Sequence, residues 1–167
     1  ADEKATVGRK GKGDMKKILV VGSLNMDMVL SVDHHPVPGE TIIGDGITYH
    51  PGGKGANQAY AVGKLGGDVR IIGCVGWDNN GMILTENLAQ AGVDTTAINR
   101  MPEAPTGMAI IDVDKKGDNS IIVISGANAC LTPDLLRKQK ASVEWSDFIM
   151  TQLETPIDTV LELARMA

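Results

Sequence analysis

The sequence predicts an α/β fold with a mostly parallel sheet, because short apolar runs alternate with segments of helical periodicity. The run ILVVG at residues 18–22 follows two lysines and ends in glycine, which is typical of a buried parallel strand. A second apolar run covers residues 69–75. Between the two, residues 53–65 repeat small and apolar side chains at spacings of three and four, which indicates a helix packed along one face. This alternation favours parallel pairing of the strands.

The rest of the chain continues the alternation. Thr132 fits a helix N-cap, and Pro133 fits the first helical position that follows it. Gly92 marks the end of an earlier helix. The further predicted elements are helices over 80–91, from Thr132 onward and from Pro156 onward, and strands over 94–99 and 148–153.

Two pairs of strand-like segments do not fit the alternation, since no helical segment separates their members. Residues 26–32 precede residues 41–49 across a turn rich in proline and glycine. Residues 107–113 precede residues 120–125 across the turn-forming sequence DKKGDN. We therefore predict two antiparallel excursions from the main sheet, which together form a small lid.

Composition limits the classes of function. The chain has 167 residues, the size of about one domain, with 43% apolar residues and a net charge of −5. An acidic chain with 3% aromatic residues lacks the basic and stacking surfaces that bind nucleic acid, so no such partner is expected. No apolar run approaches about 18 residues, so neither a membrane span nor a signal peptide is expected.

The two cysteines indicate the redox compartment. Cys74 and Cys130 lie in apolar surroundings, and we expect reduced thiols and a cytoplasmic location.

The first 14 residues, ADEKATVGRKGKGD, are polar, basic and rich in glycine, and they have no apolar period. We interpret residues 1–14 as a disordered leader or an expression remnant and exclude them from the fold. The predicted fold therefore begins at Met15.

The segment PGGKGANQA at residues 51–59 is the most informative, because a glycine-rich turn enters a helix there. Such a turn exposes free N–H groups to whatever binds at the helix start. The P-loop pattern requires Ser or Thr after Gly-Lys, but Gly55 follows Lys54. The dinucleotide-binding pattern fails as well, because Tyr49 occupies the place of its third glycine. Exposed N–H groups also suit the oxygens of a sugar.

Three polar residues follow predicted strands. Asn25 and Asp27 are two residues apart, so on an extended chain they face one side, at the edge where open α/β sheets bind ligands. They suit sugar hydroxyls, and a plain loop with an Asx turn is the other interpretation. Glu154 could accept a hydrogen bond from a hydroxyl, or it could be an acid favoured by the dipole of the helix that follows.

These segments resemble the ribokinase-like carbohydrate kinases, also called the PfkB family. GGKGANQA at residues 52–59 matches a signature of that family, and Gly66 and Gly76 fall in its register. The further matches are GSLNMD (22–27), the pattern PxPGET (36–41), PTGMA (105–109), SGAN (125–128) and QLETP (152–156). The resemblance covers about residues 16–167.

The resemblance implies a three-layer α/β/α fold with a small antiparallel β lid, truncated before the C-terminal nucleotide-binding part. It implies ATP-dependent phosphorylation of a sugar, with D-ribose converted to ribose 5-phosphate by the full-length enzyme. The implied cofactors are ATP, Mg²⁺ and a monovalent cation such as K⁺, with sites mostly outside this chain. A homodimer formed through the lid is also implied.

The resemblance assigns roles to residues as well. The implied substrate-binding residues are Asn25, Asp27, Gly53, Lys54, Asn57 and Glu154. The first two would bind sugar hydroxyls, and Glu154 would bind another. The remaining three would hold the sugar from the helix entry, with Lys54 also near the transferred phosphate.

Two sequence motifs of the family are missing from this chain. The Gly-Ala-Gly-Asp element, whose aspartate is the general base, and the Asn-x-x-Glu element are both absent, and the chain stops inside a predicted helix. We therefore expect residues 15–167 to be the N-terminal sugar-binding part, with lid segments at about 26–49 and 107–125. We expect no catalytic residue in this chain and negligible kinase activity from it alone. The alternatives are an inert sugar-binding or dimerisation module, and a kinase for another sugar or a nucleoside.

Overall fold

Two four-stranded sheets organise residues 15–167, the part of the chain that this computed structural model describes. The interpretation of residues 1–14 as a leader lies outside the described residues. The strands are β1 (Lys17–Val21), β2 (Asn25–Ser31), β3 (Gly46–Gly52), β4 (Asp68–Gly76), β5 (Ile98–Met101), β6 (Gly107–Val113), β7 (Asn119–Ile124) and β8 (Phe148–Thr151). The helices are α1 (Lys54–Lys64), α2 (Asn79–Gln90), α3 (Pro133–Lys138), α4 (Lys140–Trp145) and α5 (Ile157–Met166), with a 3-10 helix at Gly126–Cys130 before α3.

The main sheet has the strand order β5-β4-β1-β8, and every pairing in it is parallel. Helices α1 and α2 pack on one face, where Val20, Leu24 and Ile71 belong to the shared core. Helices α3, α4 and α5 cover the other face, where Leu19 and Ile72 are buried. Strands that are covered on both faces carry apolar residues without alternation, which explains the uninterrupted apolar runs. The predicted three-layer α/β/α fold is confirmed.

The second sheet, which we call the lid sheet, has the order β3-β2-β6-β7. The β2–β3 and β6–β7 pairs are antiparallel, and a parallel β2–β6 pair joins them. The two predicted excursions are therefore confirmed as parts of one sheet. Residues 22–24 alone separate β1 from β2, so the lid sheet starts directly at the carboxyl edge of the main sheet.

The strand predicted at residues 41–49 lies instead at Gly46–Gly52. The backbone nitrogen of Asp45 donates to the carbonyl oxygen of Ser31 at 2.8 Å, which turns the chain into β3 at that point. From there β3 pairs with the whole length of β2, as far as Gly52 opposite Asn25. Pairing with β2 therefore decided this boundary, and the glycine-rich local sequence did not reveal it.

The strand predicted at residues 94–99 begins only at Ile98. The carboxylate of Asp94 accepts hydrogen bonds from both the backbone N–H and the hydroxyl of Thr96, which folds the segment into a turn.

Among residues 15–167, no helix combines the length and the apolar character that crossing a membrane requires.

The first turn of α1 lies directly against the chain that joins β1 to β2. A Cβ atom at Gly55 would lie 2.6 Å from the carbonyl carbon of Gly22, and one at Gly53 would lie 2.6 Å from the backbone nitrogen of Asn25. Gly53 also has a φ of 92°, in the left-handed region that favours glycine. These two glycines therefore let two backbone segments touch. This backbone contact requires glycine at both positions.

Replacing Gly55 by alanine tests this backbone contact. We expect Gly55→Ala to lower the free energy of unfolding by about 1–3 kcal/mol, because the two segments must separate to admit the methyl group. The matched control is Gly46→Ala, where nothing lies within 4 Å of an added Cβ, and we expect a change below about 0.5 kcal/mol. Urea denaturation measures both variants. Equal transition midpoints for the two variants would contradict a tight contact.

Candidate functional site

A hollow of about 150 Å³ lies between the lid sheet and the carboxyl edge of the main sheet. All six residues that the sequence analysis assigns to substrate binding line it, namely Asn25, Asp27, Gly53, Lys54, Asn57 and Glu154. The lid sheet completes the wall with the apolar side chains of Ala109, Ile111, Ile121 and Val123. Polar groups on one side and apolar groups on the other suit a small molecule that carries hydroxyl groups on a carbon skeleton.

Ser23 connects the start of α1 to the end of β8. Its hydroxyl donates to Glu154 Oε2 at 2.7 Å and accepts from the backbone nitrogen of Gly55 at 3.4 Å. Its carbonyl oxygen accepts from the backbone nitrogen of Ala56 at 2.9 Å, and Glu154 also accepts from the backbone nitrogen of Lys54 at 3.5 Å. Protein groups therefore already bind the N–H groups of residues 54–56. The prediction that these N–H groups are free for a ligand is wrong.

Ser23 itself was missed by the sequence analysis, although it stands inside the GSLNMD motif. It is completely buried, and its partner Glu154 lies 131 residues away along the chain. A single serine next to a glycine carries no local signal for such a distant contact. The signal that could have found it is the pairing of β1 with β8, which brings the two strand ends together.

Lys54 and Glu154 form an ion pair at the rim of the hollow. The lysine side chain is 66% exposed, whereas that of Glu154 is 23% exposed. Burial would raise the pKa of Glu154, but the hydrogen bonds from Lys54 and Ser23 and the positive charge of Lys54 lower it overall. Glu154 is therefore an ionised hydrogen-bond acceptor at neutral pH, and the exposed side chain of Lys54 is its partner in the ion pair.

Asp27 faces the same hollow, but the pKa of its carboxyl group is shifted in the opposite direction. Burial raises the pKa of its carboxyl group, and the nearby charge of Glu154 adds to the rise, while His50 and Lys54 oppose it. No donor within the described part of the chain hydrogen-bonds to this carboxylate. A Cβ at Gly52, on the facing strand, would lie 2.2 Å from Asp27 Oδ2, so the carboxylate packs closely against the backbone of β3. The site therefore presents an acceptor that lacks a donor.

Asn25 is buried at the first position of β2, beside a second buried asparagine, Asn128. The Oδ1 atom of Asn25 accepts from Asn128 Nδ2 at 2.8 Å, while the two polar atoms of Asn128 also bind the backbone of Leu24. In the SGAN segment Asn128 was noted only as part of the family resemblance. The structure adds it as a neighbour of the site.

No group of three or more His, Cys, Asp or Glu side chains that could hold a metal ion occurs in residues 15–167. Asp27 and Glu154 are the two carboxylates of the hollow, and Glu154 is already bound by Lys54 and Ser23. The described residues therefore do not offer Mg²⁺ a cluster of carboxylate ligands.

Proteins of similar sequence and structure match nearly all of the described residues. The family model for pfkB family carbohydrate kinases matches residues 15–167. The ribokinase of Haemophilus influenzae is 43% identical over 152 residues, which cover 91% of this chain and 50% of that protein. The chain spans about half the length of the curated relatives it matches.

Two solved structures show the same architecture. Ribokinase from Thermotoga maritima superposes with a TM-score of 0.83 at 43% identity, over 90% of this chain and 49% of that chain. Ribokinase from Arabidopsis thaliana, complexed with ribose and ATP, superposes with a TM-score of 0.79 at 30% identity, over 91% of this chain and 51% of that chain.

The two carboxylates of the hollow predict opposite effects of pH on stability. The pKa of Asp27 is raised above its ordinary 3.8, so its ionised form costs stability once the pH exceeds that value. The pKa of Glu154 is lowered below its ordinary 4.5, so its ionised form adds stability that is lost as the pH falls below that value. We expect Asp27→Asn to be more stable than the unmodified protein at pH 7, and Glu154→Gln to be less stable.

Urea denaturation between pH 3 and pH 7 measures both effects. Each variant should approach the stability of the unmodified protein at the acid end of this range, because the carboxylates are then increasingly protonated. Differences of the same sign at pH 7 would contradict the opposed pKa shifts.

Proposed function

The chain belongs to the pfkB family of carbohydrate kinases, and we propose that the whole protein transfers a phosphoryl group from ATP to D-ribose, giving ribose 5-phosphate. The observation that carries the proposal is the hollow at the carboxyl edge of the main sheet, where Asn25, Asp27 and Glu154 converge. Ribose and ATP are the ligands named for the Arabidopsis relative, which supports the choice of sugar and of phosphate donor.

The side chains of the hollow have different roles in binding a sugar. Asp27 and Glu154 accept hydrogen bonds from hydroxyl groups, and each such bond to a charged group contributes about 1.5–3 kcal/mol. Lys54 and Asn57 donate to sugar oxygens from the first turn of α1. Ile111 and Val123 cover the carbon skeleton from the lid sheet and exclude water from the polar contacts.

Lys54 has a second role in the proposal. Its exposed ammonium group is a compact charge of the kind that binds phosphate oxygens, and it already lies beside the sugar-binding carboxylate Glu154. When a phosphate is nearby, the ammonium can turn from the carboxylate towards it. The residue then links sugar binding to the position of the transferred group.

The general base and the ATP, Mg²⁺ and K⁺ sites are proposed to lie outside residues 15–167. Phosphoryl transfer depends on positioned groups that stabilise charge, so the 167-residue chain alone is proposed to bind sugar with negligible turnover. The cytoplasm is the proposed location, because ATP is the donor and Cys74 and Cys130 are free thiols.

Removing the carboxylate of Asp27 tests the proposed sugar contact. We expect Asp27→Ala to weaken ribose binding by the whole protein by about 1–3 kcal/mol, because a charged acceptor for hydroxyl groups is lost. Isothermal titration calorimetry with ribose measures the affinity. Asp118→Ala, in the exposed turn between β6 and β7, is the matched control and should bind ribose normally.

Two results would contradict the proposal. One is an unmodified whole protein that neither binds ribose nor phosphorylates it with ATP. The other is an unchanged ribose affinity in Asp27→Ala, which would remove this residue from the site. A coupled assay with ATP and ribose on the 167-residue chain should show no turnover, and measurable turnover would place the general base within this chain.

The lid sheet also supports a proposed homodimer. Large apolar side chains that do not line the hollow are exposed on its outer strands, at Ile47, Tyr49, Ile122 and Ile124. An exposed apolar surface of this kind typically marks a site of protein association. A second copy of the same lid sheet offers a matching apolar surface.

A charge on the outer strand of the lid sheet tests this assembly. Ile122 is 59% exposed and does not line the hollow. We expect Ile122→Asp to convert the dimer into a monomer, because the association would bury a charge, and light scattering after size exclusion measures the mass. The control Asn119→Asp places the same charge at the start of the strand and should stay dimeric. A monomeric unmodified protein would contradict the proposal.

A further inference from the structure

We propose that Asn128 is a positioning residue, which orients the side-chain amide of Asn25 so that its NH₂ group faces the sugar. This role rests on the proposed function, since it concerns the same hollow. Both asparagines are buried, with 2% exposure for Asn128 and 4% for Asn25. They come from segments that are 103 residues apart along the chain.

The backbone of Leu24 fixes the orientation of the Asn128 amide. The backbone N–H of Leu24 can only donate, and it donates to Asn128 Oδ1 at 2.9 Å. The carbonyl oxygen of Leu24 can only accept, and it accepts from Asn128 Nδ2 at 3.1 Å. Turning the Asn128 amide around would pair donor with donor and acceptor with acceptor, so a single orientation is allowed.

That orientation is passed on to Asn25. The Nδ2 group of Asn128, already fixed as a donor, also donates to Asn25 at 2.8 Å, so the Asn25 atom that faces it must be the oxygen. The NH₂ group of Asn25 is thereby turned away from Asn128. A Cβ at Gly107 would lie 2.2 Å from Asn128 Nδ2 and 2.3 Å from Asn25 Oδ1, so glycine is needed to leave this contact room.

The chemical consequence concerns the balance of donors and acceptors in the hollow. Asp27 and Glu154 offer only acceptors when ionised, and they can bind only the hydrogen atoms of a sugar. The NH₂ group of Asn25 offers a neutral donor for a sugar oxygen. A reversed Asn25 amide would add a third oxygen beside the two carboxylates and leave that sugar oxygen without a partner.

Asn128→Asp is the sharpest test, because it keeps the shape of the side chain. The carboxylate still accepts from Leu24, but it presents a second acceptor towards Asn25, whose amide should reverse. We expect ribose affinity of the whole protein to fall about tenfold, because the hydrogen bond from the Asn25 NH₂ group to a sugar oxygen is lost. Asn128→Ala releases the amide without reversing it, and we expect a loss of about twofold, since half of the orientations remain competent.

The same substitutions in an Asn25→Ala background separate positioning from general damage. If Asn128 acts through Asn25, neither change at residue 128 weakens ribose binding further in that background. Thr159→Val is the control for lost stability, because Thr159 is buried and its hydroxyl donates to the carbonyl oxygen of Leu131. It should lower the urea midpoint without changing ribose affinity. If Asn128→Asp folds poorly, the double-mutant cycle that combines Asn128→Ala with Asn25→Ala tests the proposal instead.

Each outcome of the calorimetry decides the proposal. Loss of affinity that disappears in the Asn25→Ala background supports it. Equal losses in both backgrounds would contradict the proposal by showing that Asn128 has a merely structural role. Unchanged ribose affinity in both variants at residue 128 would contradict it by showing that Asn128 has no role in binding. The proposed function stands in either case. Absence of ribose binding by the unmodified protein would overturn the proposed function and this role together.

Discussion

The close contact between the first turn of α1 and the chain that joins β1 to β2 is the constraint on which the site depends. Gly22, Gly53 and Gly55 let the two backbones meet at distances that a methyl group would forbid. The contact brings Lys54 and Asn57 to the same hollow as Asn25 and Asp27. A side chain at Gly53 or Gly55 would push α1 outward and move the donors on α1 away from the acceptors on β2.

The contact also determines which groups remain for a ligand. Ser23 and Glu154 bind the first N–H groups of α1, so the helix start is closed by the protein's own oxygens. The carboxylate of Glu154 is favoured there by the helix dipole as well as by Lys54. In the proposed sugar site, recognition is therefore assigned to side chains, in contrast to a P-loop, where the backbone N–H groups bind the ligand.

Local sequence predicted the elements whose signals are local. The apolar run of β1, the spacing in α1 and the turn between β6 and β7 all lie within windows of a few residues. The six site residues were assigned from the family resemblance, and spacing alone left Asn25, Asp27 and Glu154 ambiguous. Contacts over distance were not predictable: Ser23 and Asn128 acquire their partners from segments 131 and 103 residues away. The start of β3 was misplaced for the same reason, because β2 determines it.

Strand β2 connects the polar residues of the hollow to the apolar residues that line its other side. Its first residues, Asn25 and Asp27, contribute the polar groups of the hollow, and the same strand continues outward as the centre of the lid sheet. In the parallel β2–β6 pair, Asp27 lies opposite Ala109, which places the apolar wall of Ala109 and Ile111 next to the carboxylate. Partial burial of Asp27 raises the pKa of its carboxyl group, so its ionised form is less favoured in the folded chain. A ligand with hydroxyl donors relieves this cost, and the same apolar cover strengthens each hydrogen bond that the ligand makes.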